Sequence, residues 1–251
     1  MSENNTTMMM ETANEVLEGM KMLENEEQRK VLMGFFKTGK GEYGEGDKFL
    51  GLKVPETRLF VREARNLPLA EVQKLINSPW HEARLCGFLI LVDKYNRKGT
   101  SEGEREYLVK FYLRHAKKAN NWDLVDMSCY KILGQWLVNS SCTPEEKLKV
   151  MDRLAESENL WEQRISMVST MAPLKYGDSS YTKRYAEYHL HHSHDLMHKA
   201  VGWLLREMGK RCSMDELRAF LQEHAHEMPR TALRYAIEKM ELDERNYWMR
   251  Y

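Results

Sequence analysis

The chain has 251 residues, of which 42% are hydrophobic and 30% charged, and its formal net charge is zero. This charge excludes a strongly basic DNA-packaging protein, and no apolar run reaches the roughly 18 residues that a membrane helix needs. Because the four cysteines form no C-x-x-C pair and residues 1–30 lack an apolar signal segment, we expect a soluble, cytoplasmic protein with reduced thiols.

The composition predicts an all-α protein. Leu, Met, Glu, Lys, Arg and Ala dominate the sequence, and these residues lose least when they enter a helix. Only six prolines and fourteen glycines interrupt the chain, and alternation of apolar residues with a period of two is rare. Strands are therefore not expected to contribute much to the fold.

The first part of the chain divides into a tail, a helical stretch and a loop. Residues 1–7 are polar and are predicted to be disordered. Apolar residues recur at helical spacing between Met8 and Phe36, which predicts one or two helices. Residues 37–51 form a predicted glycine-rich loop. This loop lacks both the G-x-x-x-x-G-K-[ST] pattern and a preceding strand, so it is not predicted to bind a nucleotide.

Helical patterns fill the rest of the chain. Two of them carry clear N-terminal caps, Thr143-Pro144-Glu-Glu146 and Ser213-Met-Asp-Glu216, each with the S/T-x-x-E form of a capping box. The predicted helices are 55–66, 68–77, 80–96, 101–117, 121–139, 144–157, 160–173, 179–192, 195–211, 213–226 and 229–241.

Several of these helices share one register, which predicts repeats. The shared segments are Asn121–Asp126, Asn159–Arg164, His198–Trp203 and, less completely, Trp80–Arg84. Overlaying their apolar patterns and extending the register aligns Arg84, Val125, Arg164, Ala200 and Ala232, which are 41, 39, 36 and 32 residues apart. Two helices per period of this length are typical of HEAT or armadillo units. We therefore predict a single domain over residues 1–251, an α-solenoid of HEAT-like repeats with a concave face.

The register also predicts a site on that face. Relative to the aligned position, Trp122 lies three residues before, Asp126 one residue after and Trp203 three residues after. With 3.6 residues per turn, these offsets fall on a broadly common side of successive helices, together with Arg164. Tryptophan, aspartate and arginine gathered in this way are not typical of a core.

The sequence resembles a known family, the DNA alkylation repair glycosylases built from HEAT-like repeats, often called the AlkD type. The resemblance covers about Phe35 to Tyr235 and depends on four segments in this order and spacing: Phe49–Arg58, Asn121–Asp126, Leu160–Arg164 and Lys199–Glu207. It implies hydrolysis of the N-glycosidic bond of cationic alkylated purines, such as 3-methyladenine and 7-methylguanine, in double-stranded DNA. It also implies that no metal or cofactor is used. We expect a monomer.

The resemblance assigns roles to individual residues. It implies that Asp126 is the catalytic aspartate, that Trp122 and Trp203 face the DNA, and that Arg164 lies beside the lesion. A DNA-proximal tyrosine of the family falls nearest Phe35, and Tyr43 in the glycine-rich loop is the alternative for that contact. Lys199 and Arg206 are candidate phosphate contacts, although a solvated helix face explains them equally well.

These residue types suit the chemistry. A carboxylate beside the deoxyribose stabilises the cation-like sugar that develops as the bond breaks. An arginine binds phosphate, and tryptophan faces attract a cationic base. The resemblance implies that the protein binds the DNA backbone while the lesion stays stacked in the duplex. The sequence shows no obvious base pocket, which is compatible with this mode of binding.

Other interpretations remain open at this point. His189, His191, His192, His194 and His198 include an i, i+4 pair that could chelate zinc, but the H-E-x-x-H pattern is missing and a solvated turn is favoured. We predict no metal site there, and we predict structural roles for Arg84 and Trp161. Two rival functions are a noncatalytic protein of the same fold that binds DNA of unusual shape and a protein-interaction scaffold.

Overall fold

The computed structural model describes residues 9–250, so the predicted disorder of residues 1–7 lies outside the described residues. Within residues 9–250 the structure contains fifteen α-helices, one 3₁₀ helix and no β-strand, apart from an isolated bridge between Lys48 and Trp80. The all-α prediction is confirmed. No helix in this range is both long and apolar enough to cross a membrane.

The chain divides after Ser128 into two compact units. We call residues 9–128 the N-terminal unit and residues 129–250 the C-terminal unit. The single domain predicted over residues 1–251, its HEAT-like repeats and its concave face stay predictions.

The N-terminal unit is built around one nearly all-buried helix. Its elements are α1 (Ala13–Met22), α2 (Glu26–Phe35), α3 (Val54–Glu63), α4 (Leu69–Ile76), α5 (His81–Asn96), α6 (Glu102–Arg114), a 3₁₀ helix (Ala116–Lys118) and the start of α7 (Trp122–Asn139). Helix α5 packs against α1, α3, α4 and α6. Its first turn buries the polar side chains of His81, Glu82 and Arg84. Buried polar groups need partners, so this turn is an unusual part of the core.

The C-terminal unit is built around α12. Its elements after α7 are α8 (Pro144–Ala155), α9 (Leu160–Ser169), α10 (Met171–Lys175), α11 (Ser180–Tyr188), α12 (Asp195–Arg211), α13 (Met214–His224), α14 (Arg230–Ala236) and α15 (Leu242–Trp248). Helix α12 packs against α9, α10, α11, α13 and α14. It approaches α14 so closely at Gly202 that a Cβ there would lie 2.3 Å from the carbonyl oxygen of Ala232.

Both predicted N-terminal caps are present, but only one is a complete capping box. Thr143 accepts a hydrogen bond from the amide of Glu146, whose carboxylate accepts one from the amide of Thr143. Ser213 likewise accepts from the amide of Glu216. The carboxylate of Glu216 turns away, however, and accepts hydrogen bonds from Ser179 and Lys183. The second box is therefore replaced by a link from α13 to α11.

The structure corrects several helix boundaries. The sequence predicts one helix over 160–173, whereas α9 ends at Ser169 and α10 is a separate turn. Pro173 explains the break, because proline has no amide hydrogen to donate to residue 169 and its ring clashes with that carbonyl. The predicted helix 179–192 ends early, at Tyr188, and α15 was not predicted.

Candidate functional site

The first turns of α7 present two of the predicted site residues together. The side chain of Asn121 accepts a hydrogen bond from the amide of Trp122 at 2.9 Å, which starts the helix. Trp122 and Asp126 are four residues apart and so share one side of α7, where both are half-buried. Leu124 and Val125 are fully buried. Buried apolar residues therefore hold the start of α7 against the core, while Trp122 and Asp126 stay partly accessible to solvent.

Trp122 and Asp126 line one pocket of the N-terminal unit, with a volume of about 290 Å³. Its aromatic and titratable lining residues are Phe35, Phe36, Phe49, Trp122, Lys53, His81, Glu82, Asp123 and Asp126. The end of α2 and the glycine-rich loop supply walls of this pocket, and the helical register does not reveal their position. The expected lack of a base pocket stays a prediction. The lining includes Phe35 but not Tyr43.

Aromatic rings connect the pocket wall to the core. The ring of Phe36 stacks on Trp122, with centroids 5.4 Å apart, and also lies 4.9 Å from the ring of His81. Phe49 stacks on His81 at 4.4 Å. Phe35 meets the edge of Trp122 at 5.7 Å and keeps 60% of its surface exposed. Trp122 is therefore supported by a buried ring on one side and bordered by an exposed one.

A buried network of charged groups adjoins this wall, and two of its members, His81 and Asp123, line the pocket. Nδ1 of His81 is 2.8 Å from a carboxylate oxygen of Asp47, and Nε2 is 2.8 Å from Oδ2 of Asp123. Arg84 donates to the other oxygen of Asp47 at 2.6 Å and to the carbonyl of Ser78 at 3.1 Å. All four charged side chains are at most 7% exposed. The structural role predicted for Arg84 is confirmed by this burial and pairing.

The network shifts the pKa values of its members. Burial alone would lower the pKa of His81, but the charge and hydrogen bond of Asp123, and then those of Asp47, raise it to about 9. Burial would raise the pKa of Asp47, but the hydrogen bond and charge of His81, followed by those of Arg84, hold it below its ordinary value. Near neutral pH, His81 and Asp47 are therefore both charged.

A second buried carboxylate fixes the segment that leads from the glycine-rich loop into α3. Glu82, next to His81 in α5, accepts hydrogen bonds from the amides of residues 50–52 at N···O distances of 2.9 to 3.2 Å. Several amide donors stabilise the charge of a buried carboxylate. Since Asp47 lies just before this segment, α5 holds the end of the loop through three side chains, His81, Glu82 and Arg84.

Asp47, His81, Glu82 and Asp123 were missed as a group. The available signal was Trp80–Arg84, the least complete of the four register segments, where polar residues occupy positions that should face the core. The sequence cannot identify their partners, because His81 lies 34 residues from Asp47 and 42 from Asp123.

The C-terminal unit contains the other predicted site residues, beginning with Arg164. This side chain on α9 is only 5% exposed and donates a hydrogen bond to the carbonyl of Leu196, at the start of α12. That bond links α9 to α12. Phosphate binding by Arg164 stays a prediction. Trp161, on the same helix, is buried, as its predicted structural role requires.

The remaining candidates lie along α12. Trp203 is half-buried. Lys199 forms an ion pair with Asp195 at 2.7 Å, one turn earlier in the helix. Arg206 pairs with Glu238. Contacts of Trp203, Lys199 and Arg206 with DNA stay predictions, and the two basic residues would exchange these ion pairs for phosphates.

The histidine group before α12 is tied into the protein by hydrogen bonds. Nε2 of His189 lies 2.9 Å from Oγ of Ser166, and Nε2 of His192 lies 2.9 Å from the side-chain oxygen of Gln163. His194 caps the N-terminus of α12. Across residues 9–250, no three His, Cys, Asp or Glu side chains are grouped in a way that could hold a metal ion.

Comparisons with known proteins relate the sequence to a family and the fold to a solved structure. The sequence model of the family described as DNA alkylation repair enzyme matches residues 16–240. No curated protein matches the chain significantly. A solved structure described as a predicted DNA alkylation repair enzyme from Enterococcus faecalis is similar, with a TM-score of 0.63 and 17% identity over 87% of this chain and 97% of that one. At this identity, the structural likeness shows a shared fold.

Proposed function

The chain belongs to the DNA alkylation repair enzyme family, and we propose that it is a DNA glycosylase that releases cationic alkylated purines, with Asp126 as the catalytic carboxylate. One observation carries this proposal: Trp122 and Asp126 share one side of α7 and line the same aromatic pocket. The proposed substrates are 3-methyladenine and 7-methylguanine in double-stranded DNA. We further propose that the protein acts as a monomer in the cytoplasm.

The reaction requires little beyond a well-placed carboxylate. Alkylation at N3 or N7 gives the purine a positive charge, so that breaking its bond to C1′ returns the bonding electron pair to the base and neutralises it. A cation-like sugar develops at the same time. Water then attacks C1′ and loses a proton, which leaves a free alkylated base and an abasic site. Because the leaving group already carries charge, the step needs no metal or other cofactor.

The pocket would strengthen the effect of Asp126. Its walls are largely apolar and aromatic, and in such surroundings a carboxylate interacts more strongly with a developing positive charge than it does in water. Asp126 would stabilise the sugar and accept the proton of the attacking water. The ring of Trp122, supported by Phe36, would lie against the sugar or the cationic base.

The predicted residues of the C-terminal unit would hold the DNA. We propose that Arg164, Lys199 and Arg206 contact phosphates and that Trp203 faces the lesion strand. Such contacts position the duplex and add a salt-dependent part to the affinity without reading the sequence.

The test measures base release under single-turnover conditions from duplex DNA that contains 7-methylguanine. Asp126→Asn should lower the rate constant by about 100-fold or more while DNA affinity changes little, because the amide cannot carry the negative charge. Asp93→Asn is the matched control, since Asp93 pairs with Arg65 and Arg97 and does not line the pocket. It should release base at the wild-type rate.

The outcomes separate the rival functions. Undiminished release by Asp126→Asn contradicts the proposed mechanism. If neither protein releases base but the wild type binds DNA with a steep salt dependence, a noncatalytic DNA-binding role is favoured. If DNA does not bind at all, the interaction scaffold is favoured.

A further inference from the structure

The buried network beside the pocket contains equal numbers of positive and negative groups. Asp47 and Asp123 contribute two carboxylates, while His81 and Arg84 contribute an imidazole and a guanidinium. Charges are seldom buried unless they are paired and hydrogen-bonded. These four come from three parts of the chain: the end of the glycine-rich loop, the first turn of α5 and the first turn of α7.

The geometry favours a His81 ring that carries a proton on both nitrogens. Each nitrogen lies 2.8 Å from an oxygen of a carboxylate, at Asp47 on one side and Asp123 on the other. An ionised carboxylate only accepts hydrogen bonds, so each short contact needs an N–H donor. A neutral imidazole would turn one lone pair towards a carboxylate oxygen. His81 is therefore an imidazolium, and it balances the charge of the network.

The position of Asp123 depends on that charge. Its Oδ2 bonds to His81, whereas Oδ1 is buried and has no hydrogen-bond partner. A buried carboxylate oxygen without a hydrogen bond is costly, so the charge of Asp123 needs a nearby cation as compensation. His81 is the group that pairs with it, at 2.8 Å. Loss of its charge would leave Asp123, in the first turn of α7, without a compensating cation.

That turn carries the two residues of the proposed site. Trp122 immediately precedes Asp123, and Asp126 follows it by three residues. A second route leads to the same wall, because the ring of Phe36 lies between His81, at 4.9 Å, and Trp122, at 5.4 Å. A displacement of His81 or Asp123 is therefore transmitted to the pocket directly.

We infer that His81, bonded to Asp47 and Asp123, is a positioning residue that fixes the first turn of α7 and so places Trp122 and Asp126 in the pocket. The glycine-rich loop takes part in this positioning, since it contains Asp47, which bonds to His81. The activity test of this inference rests on the proposed function, but its structural test does not. The other charged groups around His81 are Arg84 beyond Asp47, and the pocket residues Lys53, Glu82 and Asp126.

The activity test uses His81→Gln, which keeps a hydrogen-bonding side chain and removes the charge. Release of 7-methylguanine under single-turnover conditions should slow by about 10- to 100-fold, because small displacements of a catalytic group have effects of this size. The dissociation constant for the same duplex should change less than the rate. His115→Gln is the matched control, since His115 bonds to the carbonyl of Phe111 outside the network. It should behave like the wild type.

The pH profile supplies a readout that a rate measured at a single pH would not give. Because the pKa of His81 is raised to about 9, release by the wild type should decline as pH rises through about 9. His81→Gln should lack this decline, while His115→Gln keeps it. Equal rates and equal profiles for the wild type and His81→Gln would overturn the inference.

The structural test uses NMR and needs no catalysis. In the wild type at pH 7.5, both ring nitrogens of His81 should be protonated, and a neutral ring would refute the inference. The indole N–H signal of Trp122, assigned with Trp122→Phe, should shift in His81→Gln and in Asp123→Asn but not in His115→Gln. An unmoved Trp122 signal in both network variants would also refute it.

The two tests distinguish a failure of the proposed function from a failure of the positioning inference. If the wild type releases no base, the proposed function fails while the NMR signals still decide the positioning role. If His81→Gln does not fold, Asp123→Asn takes its place in both experiments. If neither variant folds, the protonation state of the His81 ring in the wild type decides.

Discussion

At the residue scale, two buried histidines give the stability of this protein opposite dependences on pH. The pKa of His81 is raised to about 9, whereas burial, with a smaller contribution from His192, lowers the pKa of His189 to about 4. The folded protein therefore holds the proton of His81 more tightly than the unfolded chain does. It holds the proton of His189 less tightly.

The sign of each contribution follows from the ordinary histidine pKa of 6.5. The stability that His81 contributes is fully present below pH 6.5 and is lost as pH rises through about 9. The contribution of His189 is present above pH 6.5 and is lost as pH falls towards about 4. The free energy of unfolding is therefore largest near pH 6.5, as far as these two groups determine it.

We predict that the free energy of unfolding of the wild type falls by up to roughly 3 kcal/mol between pH 6.5 and 9, since one pKa unit corresponds to about 1.4 kcal/mol. Urea titrations at several pH values measure this slope. His81→Gln should be less stable at pH 6.5 and show a flatter slope, while His115→Gln keeps the wild-type slope. A wild-type stability that is constant or rises over this range would contradict the assignment of His81 as an imidazolium.

At the same scale, the sequence predicts some site residues and misses others for a physical reason. Trp122 and Asp126 lie on one side of one helix, so the 3.6-residue period is enough to place them together. The bonds of His81 to Asp47 and Asp123 depend on how α5, α7 and the loop pack, and periodicity within one helix carries no information about that packing. The burial of Arg164 and its bond to Leu196 also depend on the packing of neighbouring helices, so the register does not reveal them.

At the element scale, the position of α2 depends on hydrogen bonds to the neighbouring loop, because the helix buries no side chain of its own. None of its residues is buried, and yet it carries Phe35 at its end and borders the pocket. Its start is fixed by Asn25, whose amide donates to the carbonyl of Leu50 at 3.0 Å. Gly51 makes this close approach possible, because a Cβ there would lie 2.1 Å from the carbonyl oxygen of Asn25.

We predict that Gly51→Ala lowers the free energy of unfolding by about 2 kcal/mol or more. The φ angle of Gly51 is +94°, which side-chain-bearing residues rarely adopt, and the added methyl also collides with backbone. Gly103→Ala is the control, because Gly103 lies in α6 with open space around it and has no positive φ. It should be neutral or stabilising by up to about 1 kcal/mol. Equal urea midpoints for the two variants would argue against this view of the loop.

Helix boundaries were predictable where caps or glycine-rich segments mark them and unpredictable where packing decides. Thr143 and Pro144 mark the start of α8 in the sequence, and the structure agrees. The separation of α9 from α10 has a local cause in Pro173, but apolar periodicity runs through it and hides the break. Helix α15 has only seven residues and a single buried side chain, Trp248, so its periodic signal is weak.

At the scale of the whole molecule, the sequence is sufficient for the fold class and the family. Helix-favouring composition predicts the all-α class, and the ordered segments that resemble the glycosylases agree with the family match over residues 16–240. The pocket was not predictable in the same way. Its walls come from α2, the glycine-rich loop, α5 and α7, which are far apart in sequence and meet only in the folded N-terminal unit.

The most direct test of the glycosylase function identifies the products of the wild-type protein. Duplex DNA with a single 7-methylguanine, isotopically labelled in its methyl group, is incubated with excess protein and analysed by mass spectrometry. We predict free 7-methylguanine that retains the labelled methyl group, together with one abasic site for each base released. Loss of the label with guanine left in the strand, or an intact strand on DNA that the protein has bound, would contradict the proposed function.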